Sequence, residues 1–531
     1  MTPFLQQVAT HYYNEGELEK TCFVFPNRRS MVFFRKYLCQ CEASDGNARV
    51  LRMPELLPIN DFFCRMYGGA ASSRVRLILE LFDCYSKLYP SHESLDEFIF
   101  WGDVILSDFD DVDNNLVDAA MLFRNIKETV PFEGDTSHLT DEQRETLSRF
   151  FKVFRDGEDT KLKKRFLQLW EILGDVYARF KTSLLGKGIA YEGMLKRSVV
   201  EEIEKNGLSL QGRTYLFVGF NVLNQCERKL FRKMHDAKMA KFYWDCDEFY
   251  MTHDGQSRMV REAGLFMRAN ISEFQNEIDA QSLLKEKRKI NVVGSPTENA
   301  QARYVSSFLN NRPSGAKDDD TVVVLCNESL LLPVLHSIPE DVSANHVNVT
   351  MGLPLAQTPM YGVVQLLLDF QERLNFLDVD EKGSMLSTTI LPLVRNHYLR
   401  KAYPDLVDIE NRITRDNWRY FKMSDLLGKE CGMLFKRQND TSLLLSWLSA
   451  VVLSIATLFR RNDDDDEAGQ QYLTDPSDGL YDDLYKESLY RIYTLLKRIQ
   501  SLVNNGVLKT ETALTKQLVE SVLSSASVPF T

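Results

Sequence analysis

TCFVFPNRRSMVFFRKYL, Thr21–Leu38, is the stretch on which the fold reading turns. Its first five residues form a short apolar, β-rich run that Pro26-Asn27 ends. Beyond the break, Met31, Phe34 and Leu38 recur on one helical face, while Arg28, Arg29, Arg35 and Lys36 lie elsewhere. A strand, a tight loop and a helix in that order are the usual opening of a parallel α/β domain.

Four further runs read as strands: Thr214–Val218 (TYLFV), Lys241–Trp244 (KFYW), Ile290–Val293 (INVV) and Thr321–Leu325 (TVVVL). They are continuous rather than alternating, as strands covered on both faces are. Two long helical patterns complete the outline. Phe166, Leu169, Trp170, Leu173, Val176, Tyr177, Phe180 and Leu184 keep helical spacing. Tyr485, Leu489, Ile492, Leu496, Ile499 and Val503 step by four and three until Asn504-Asn505-Gly506 ends the pattern. The order is α/β, all-α, α/β, all-α, which predicts two sheet domains, each with a helical insertion. Asp463–Glu467 (DDDDE), in a polar stretch running to Gly479, predicts a solvated loop, and Lys317–Asp320 (KDDD) a surface turn.

The chain has 531 residues, of which 44% are hydrophobic and 26% charged, so it is long enough for several cores. A net charge of -11 argues against an all-round nucleic-acid-binding surface but leaves room for a local basic groove. The nine cysteines are scattered, with no CxxC pair and no zinc spacing, which predicts reduced thiols. MTPFLQQVATHYYNEGELEK lacks the basic and apolar regions of a secretory signal, and no apolar run approaches a membrane span. The expectation is a soluble, cytoplasmic protein with no membrane partner.

Four segments carry a more specific signal: FVFPNRRSMVFFRKYL (Phe23–Leu38), LPINDFFCRM (Leu57–Met66), FVGFNVLNQCERKLFRKM (Phe217–Met234) and VNVTMGLPLAQTPM (Val347–Met360). WGDVILSDFDDVD (Trp101–Asp113) and YWDCDEFY (Tyr243–Tyr250) accompany them. In content and order these segments resemble the AddB-like proteins (Bacteroidetes-type) of the AddAB/RecBCD class of helicase–nucleases, PD-(D/E)XK nuclease family members. The resemblance spans nearly the whole chain. It implies two RecA-like, superfamily-1 helicase-like domains. The first comprises residues 1–90 and 211–285 around a helical insertion at 91–210. The second opens at 286–365 and carries a helical insertion at 366–531. In the family the rest of the second domain and a nuclease domain follow. With Ser527–Thr531 closing the chain, the expectation is a form truncated before them.

The resemblance further implies an AddA-like partner subunit that supplies ATP-driven translocation, single-stranded DNA as ligand, and a role in double-strand-break processing and recombinational repair. ATP and Mg2+ belong to the partner and Mg2+ to the nuclease domain, so no cofactor is expected in this chain. A phosphate-binding loop needs glycines, a lysine and a hydroxyl. After Thr21–Phe25 stands Pro26-Asn27-Arg28-Arg29-Ser30, with no glycine, and Pro26 has no N–H to offer. ATP hydrolysis and catalytic activity of the chain alone are not expected. An active ATP-dependent helicase or exonuclease subunit, and an interaction scaffold without DNA contact, are the alternatives.

The candidate DNA-contacting residues are Asn27, Arg28, Arg29, Asn60, Phe62 and Asn224. Read without the resemblance, PNRR is a helix start with two solvated arginines; the other reading puts a phosphate or partner subunit on their guanidiniums. Asn60, Asp61 and Phe62 read either as a helix cap or as a loop on which bases stack. Asn224 and Glu227 read as a cap of the following helix. The acidic group Asp108, Asp110, Asp111 and Asp113 lacks the glycine and liganding glutamate of a calcium loop and reads as solvated helix carboxylates. No HExxH, GxSxG or Asp/Glu-x-Lys strand pattern is present, so no catalytic residue and no metal ligand is assigned. The basic runs Lys161–Arg165 and Lys285–Lys289 read as solvated faces, with a DNA track as the alternative.

Overall fold

Every residue of Thr21–Phe25 is buried, so this first strand, β1, is covered on both faces. A computed structural model describes residues 2–15, 18–41, 52–89, 95–123, 161–208, 210, 212–251, 261–279, 289–312, 321–339, 347–376, 384–427, 429–458, 479–504 and 512–529. The chain divides into two compact units, Met1–Ser94 with Phe100–Ile290, and Leu95–Ile99 with Asn291–Thr531. The fold is mixed α/β and mostly helical.

In the first unit α1 (Phe4–Glu15) precedes β1 (Thr21–Phe25), and α2 (Arg28–Gln40) leads to β2 (Glu55–Pro58). Next come α3 (Ile59–Tyr67), α4 (Arg74–Leu88), α5 (Leu95–Asn114, of which the residues from Phe100 onward belong to this unit), α6 (Lys161–Gly186) and α7 (Glu192–Asn206). The chain then returns to the sheet as β3 (Thr214–Val218), α8 (Gln225–Asp236), β4 (Ala240–Tyr243) and α9 (Leu265–Glu273). The four strands form one parallel sheet in the order β2-β1-β3-β4. Leu57, Val24, Phe217 and Phe242 lie in one row across it.

Alternation of side chains along a strand divides the core into two layers. Phe23, Phe25, Leu216, Val218 and Tyr243 join Phe4, Val8 and Tyr12 of α1 and Phe34 and Leu38 of α2 in one cluster. The Tyr12 and Tyr243 hydroxyls meet at 2.8 Å, which satisfies both groups inside it. On the other face Phe217 lies 4.1 Å from Phe231 of α8, ring centre to ring centre, and Phe242 lies 4.7 Å from Phe274. Each such ring contributes roughly 1.5–3 kcal/mol through burial.

The predicted strands at 21–25 and 214–218 are found with those limits, while the third sits one residue earlier, at Ala240–Tyr243. Trp244, just past its end, is buried and donates its indole N–H to the Phe274 carbonyl at 3.1 Å. The sequence offers no signal for β2: Glu55, Leu56 and Leu57 are half-buried and Pro58 is buried, as suits an edge strand. Helix α2 buries Phe34 and Leu38, two of the three residues on the predicted face. Helix α6 buries Leu173, Val176, Tyr177, Phe180 and Leu184; the side chains of Phe166, Leu169 and Trp170 lie outside the described residues.

The second unit corrects two expectations. Ile290–Val293 and Thr321–Leu325 belong to no strand, and Ile290, Val292, Val322 and Val324 are 84%, 94%, 79% and 79% exposed. Among the described residues no strand pairs with either segment. The helix between them is α10 (Glu298–Asn310). Thereafter come β5 (Gly352–Pro354), α11 (Pro359–Phe376), β6 (Ser384–Leu386), α12 (Ser387–Arg395), α13 (Leu406–Thr414) and β7 (Tyr420–Lys422). α14 (Thr441–Thr457), α15 (Gly479–Asn504), α16 (Thr512–Ser524) and β8 (Ser527–Pro529) complete the unit. Its strands form only two short antiparallel pairs among the described residues, β5 with β8 and β6 with β7. The core is helical: Leu444, Leu445, Leu448, Val451 and Ile455 of α14 and Leu489, Ile492, Leu496 and Ile499 of α15 are buried, and the two helices pack together.

Asp463–Glu467, Lys317–Asp320, Lys285–Arg288 and the Asn505-Gly506 stop lie outside the described residues, as do the side chains of Lys161–Arg165. Among the described residues no helix is long and apolar enough to cross a membrane.

Candidate functional site

The strand order places a reversal between β1 and β3. From β1 the chain moves outward to β2, returns across β1 to reach β3, and moves the other way to β4. In parallel α/β sheets the crevice beyond the carboxyl ends of such diverging strands is the customary ligand position. Phe25 stands opposite Pro58, so Asn27–Arg29 and Asn60 follow the ends of adjacent strands. The loop 219–224 follows β3 on the other side of β1. Five of the six candidate residues therefore flank one edge of one sheet. The sixth is elsewhere in character: Phe62 is 1% exposed and its ring packs 5.3 Å from Tyr215 and 6.2 Å from Phe217. It is a core residue beneath the sheet, and it offers no face to a nucleobase.

Asn27 is the N-cap of α2. Its backbone is extended (φ -150°, ψ 167°), and its side-chain oxygen accepts from the Ser30 N–H at 2.9 Å and the Ser30 hydroxyl at 3.1 Å. Arg28 is largely exposed and its guanidinium lies 3.4 Å from the Asp61 carboxylate at the head of α3. That exposed pair contributes about 0–1 kcal/mol and can exchange for a phosphate at little cost. Arg29 is half-buried and Asn60 exposed. Asn60 caps nothing, because α3 already begins at Ile59.

The β3 end is held rigidly. Gly219 adopts φ +75°, a left-handed conformation that favours glycine, and its N–H donates to the Tyr243 carbonyl at 2.9 Å. Asn224 caps α8 in a reciprocal box: its side chain accepts from the Glu227 N–H at 2.8 Å, and its own N–H donates to the Glu227 carboxylate at 3.3 Å. The capping reading of Asn224 is the observed one. Asn270, which the sequence reading missed, is fully buried; it donates to the Asn221 carbonyl at 2.5 Å and accepts from Arg228 at 2.8 Å. A buried asparagine one turn from the end of a helix has no local sequence signature, so only the fold could reveal it.

Behind this edge the helices are tied by buried charge. Glu227 reaches Lys196 of α7 at 3.4 Å, and Lys196 reaches Glu192 at 2.9 Å. Burial pulls the Lys196 ammonium down, but Glu227 and Glu192 outweigh it and hold it above the ordinary lysine range. Asp113 corrects the solvated reading of the acidic group, for it is fully buried. It accepts from the Tyr177 hydroxyl at 2.6 Å, Lys181 at 3.0 Å and Arg197 at 3.1 Å, and from the Tyr191 hydroxyl. Burial and the Asp113 carboxylate push both tyrosine hydroxyls up, so they remain protonated donors. Asp110 accepts from the Gly193 N–H at 2.6 Å, at the start of α7, and burial raises its carboxyl above the usual range. These carboxylates join helices; among the described residues no group of acidic, histidine or cysteine side chains could hold a metal ion.

The sheet edge does not fit a nucleoside triphosphate. The loop 26–30 has no residue with a positive φ, Pro26 lacks an N–H, and the Ser30 N–H and hydroxyl are taken by Asn27. What the edge offers is two guanidiniums and the positive end of α2, which suit an anion held by charge. The nine cysteines are all free, and burial raises the Cys22 and Cys226 thiols to about 12 each, which makes them poor nucleophiles. In comparison with known proteins, no family model matches the chain and no curated protein matches its sequence.

Proposed function

We propose that this chain is the helicase-like, ATPase-inactive scaffold of an AddB-like subunit in a cytoplasmic helicase–nuclease of the AddAB/RecBCD class, where it grips single-stranded DNA for double-strand-break processing. On this reading the parallel sheet is the first of two RecA-like domains and the residues from 286 onward contribute to the second. An AddA-like partner supplies ATP-driven movement, and this chain supplies a grip.

One observation carries the reading. Arg28 and Arg29 stand at the reversal of strand order, beyond the end of β1, where a motor protein keeps its phosphate loop. The loop that replaces it keeps positive charge and lacks the backbone cradle. A DNA phosphate needs only the charge. The segments at Phe23–Leu38, Leu57–Met66, Phe217–Met234 and Val347–Met360 support the family assignment by their resemblance.

The test is binding of a fluorescent oligo-dT at several salt concentrations by the full chain and by Arg28→Glu/Arg29→Glu. The expected outcome is weaker binding and a salt slope smaller by about 1.4, which corresponds to two phosphate contacts on a single strand. An unchanged affinity and slope would reject the assignment of these arginines. Nucleotide turnover stimulated by the oligonucleotide would favour an active motor instead.

A further inference from the structure

RITRDNWRYFK, Arg412–Lys422, interleaves four cations with three aromatic rings, of which Phe421 faces inward, and a single carboxylate, Asp416. The stretch runs from the last turn of α13 into β7. Asn417 adopts φ +56° and the Trp418 N–H donates to the Arg412 carbonyl at 3.1 Å, which turns the chain tightly into the strand. β7 pairs antiparallel with β6, Met385 opposite Phe421, and both of these are buried. Strand alternation then sends Tyr420 and Lys422 outward. Tyr420 is 60% exposed, with Leu386 opposite it. Trp418 is part-exposed, with the Arg412 guanidinium 5.4 Å from its ring centre and Phe421 bracing it at 5.5 Å.

The cations here are unlike their neighbours. Arg395 and Arg400 are both neutralised by Glu410, at 3.3 Å and 3.1 Å. Arg415, Arg419 and Lys422 are exposed and carry no ion pair among the described residues. In a chain with a net charge of -11, Arg415–Lys422 carries three exposed cations against one exposed carboxylate, Asp416, in the same stretch as the exposed Tyr420 ring. Unpaired cations select an anion, and an exposed flat ring selects a flat apolar face. A single-stranded nucleic acid brings both at once, whereas a duplex hides its base faces in the stack.

We propose that the antiparallel β6–β7 pair and the end of α13 form a binding site for single-stranded nucleic acid, with Tyr420 as the stacking ring and Arg415, Arg419 and Lys422 as phosphate contacts. The site lies in the second unit and shares no residue with the sheet edge, so the two assignments stand or fall separately.

The test uses the full chain and an oligo-dT carrying 5-bromodeoxyuridine. Irradiation is expected to crosslink the peptide that contains Trp418 and Tyr420. Tyr420→Ala weakens binding about ten-fold, while Tyr420→Phe restores it, because stacking needs the ring and not the hydroxyl. The Arg415→Glu/Arg419→Glu variant lowers the salt slope by about 1.4. Because these side chains are exposed, an unchanged far-ultraviolet circular dichroism spectrum is expected for each variant. Unaltered binding by Tyr420→Ala, with crosslinks elsewhere, overturns the proposal. So does an acidic polypeptide, poly-glutamate, that binds this surface more tightly than oligo-dT in competition. If Arg28→Glu/Arg29→Glu abolishes binding and the Tyr420 and Arg415/Arg419 variants do not, the sheet edge is the grip and the β6–β7 site is rejected.

Discussion

TCFVF at Thr21–Phe25 and TVVVL at Thr321–Leu325 are two versions of one string: a threonine followed by four apolar residues, three of them in each of high strand preference. The first is buried at all five positions, with a partner strand on either side. In the second, Val322 and Val324 are 79% exposed, and among the described residues no strand pairs with it. The residues alone do not separate the two. Neighbours do: a strand reaches its folded state only where other strands meet its N–H and C=O groups and other elements cover its side chains. The comparison can be broken at either end.

The largest effect is expected inside the sheet. Phe217 touches Phe231, Phe242 and Phe220, so Phe217→Ala removes a ring surrounded on all sides. It is expected to cost about 3–5 kcal/mol in urea unfolding followed by circular dichroism. A cost below about 1 kcal/mol would mean that the layer between sheet and α8 is loosely packed, and the contrast with the second unit would lose its meaning.

A smaller effect is expected where the helical insertion closes on itself. At Gly193 an added Cβ would collide with the Asp110 backbone carbonyl, so Gly193→Ala has to push α7 away from α5. The expected cost is about 1–3 kcal/mol, as for other overpacked contacts. A neutral substitution would show that α7 can slide, and that the Asp113 cluster does not fix its position.

Legibility in the sequence follows the same divide. β1, β3 and the amphipathic helices α2, α6 and α15 are readable because each carries a full local pattern. β2 is not, since ELLP is too short to stand out and acquires its role only by lying beside β1. Of the candidate site, Arg28, Arg29 and the Asn224 cap follow from position next to a strand end. Phe62 misleads, because an aromatic in a loop-like INDFF motif reads equally as platform or core, and only its contact with Tyr215 decides. Asp113 misleads in the opposite sense. Four carboxylates in six residues look solvated until Tyr177, Lys181, Tyr191 and Arg197 arrive from two other elements. Arg412–Lys422 does not stand out in the sequence, because only exposure separates its basic and aromatic interleave from ordinary core aromatics.

Asn224→Ala tests the border between the rigid sheet and its exposed edge. It removes the side-chain half of the α8 capping box and is expected to cost about 1 kcal/mol. Oligo-dT binding should remain within two-fold, an order-of-magnitude bound for a side chain already engaged in its own helix. A large loss of binding with little loss of stability would make Asn224 a DNA contact after all.

The smallest effect is expected at Val324, and there a null result carries the most information. An exposed valine on a segment that no strand pairs with among the described residues has little burial to lose, so Val324→Asp should change stability by no more than about 0.5 kcal/mol. If Thr321–Leu325 is instead covered in solution, by another strand or another chain, the new carboxylate has to enter an apolar layer without a partner. The cost would then be several kcal/mol, and would grow with protein concentration if the cover came from a second molecule. Measured at two concentrations, one substitution separates an open segment from an intramolecular sheet and both from an interface. A near-zero value at both would leave the contrast between TCFVF and TVVVL as a difference in what surrounds them, since their residues are almost alike.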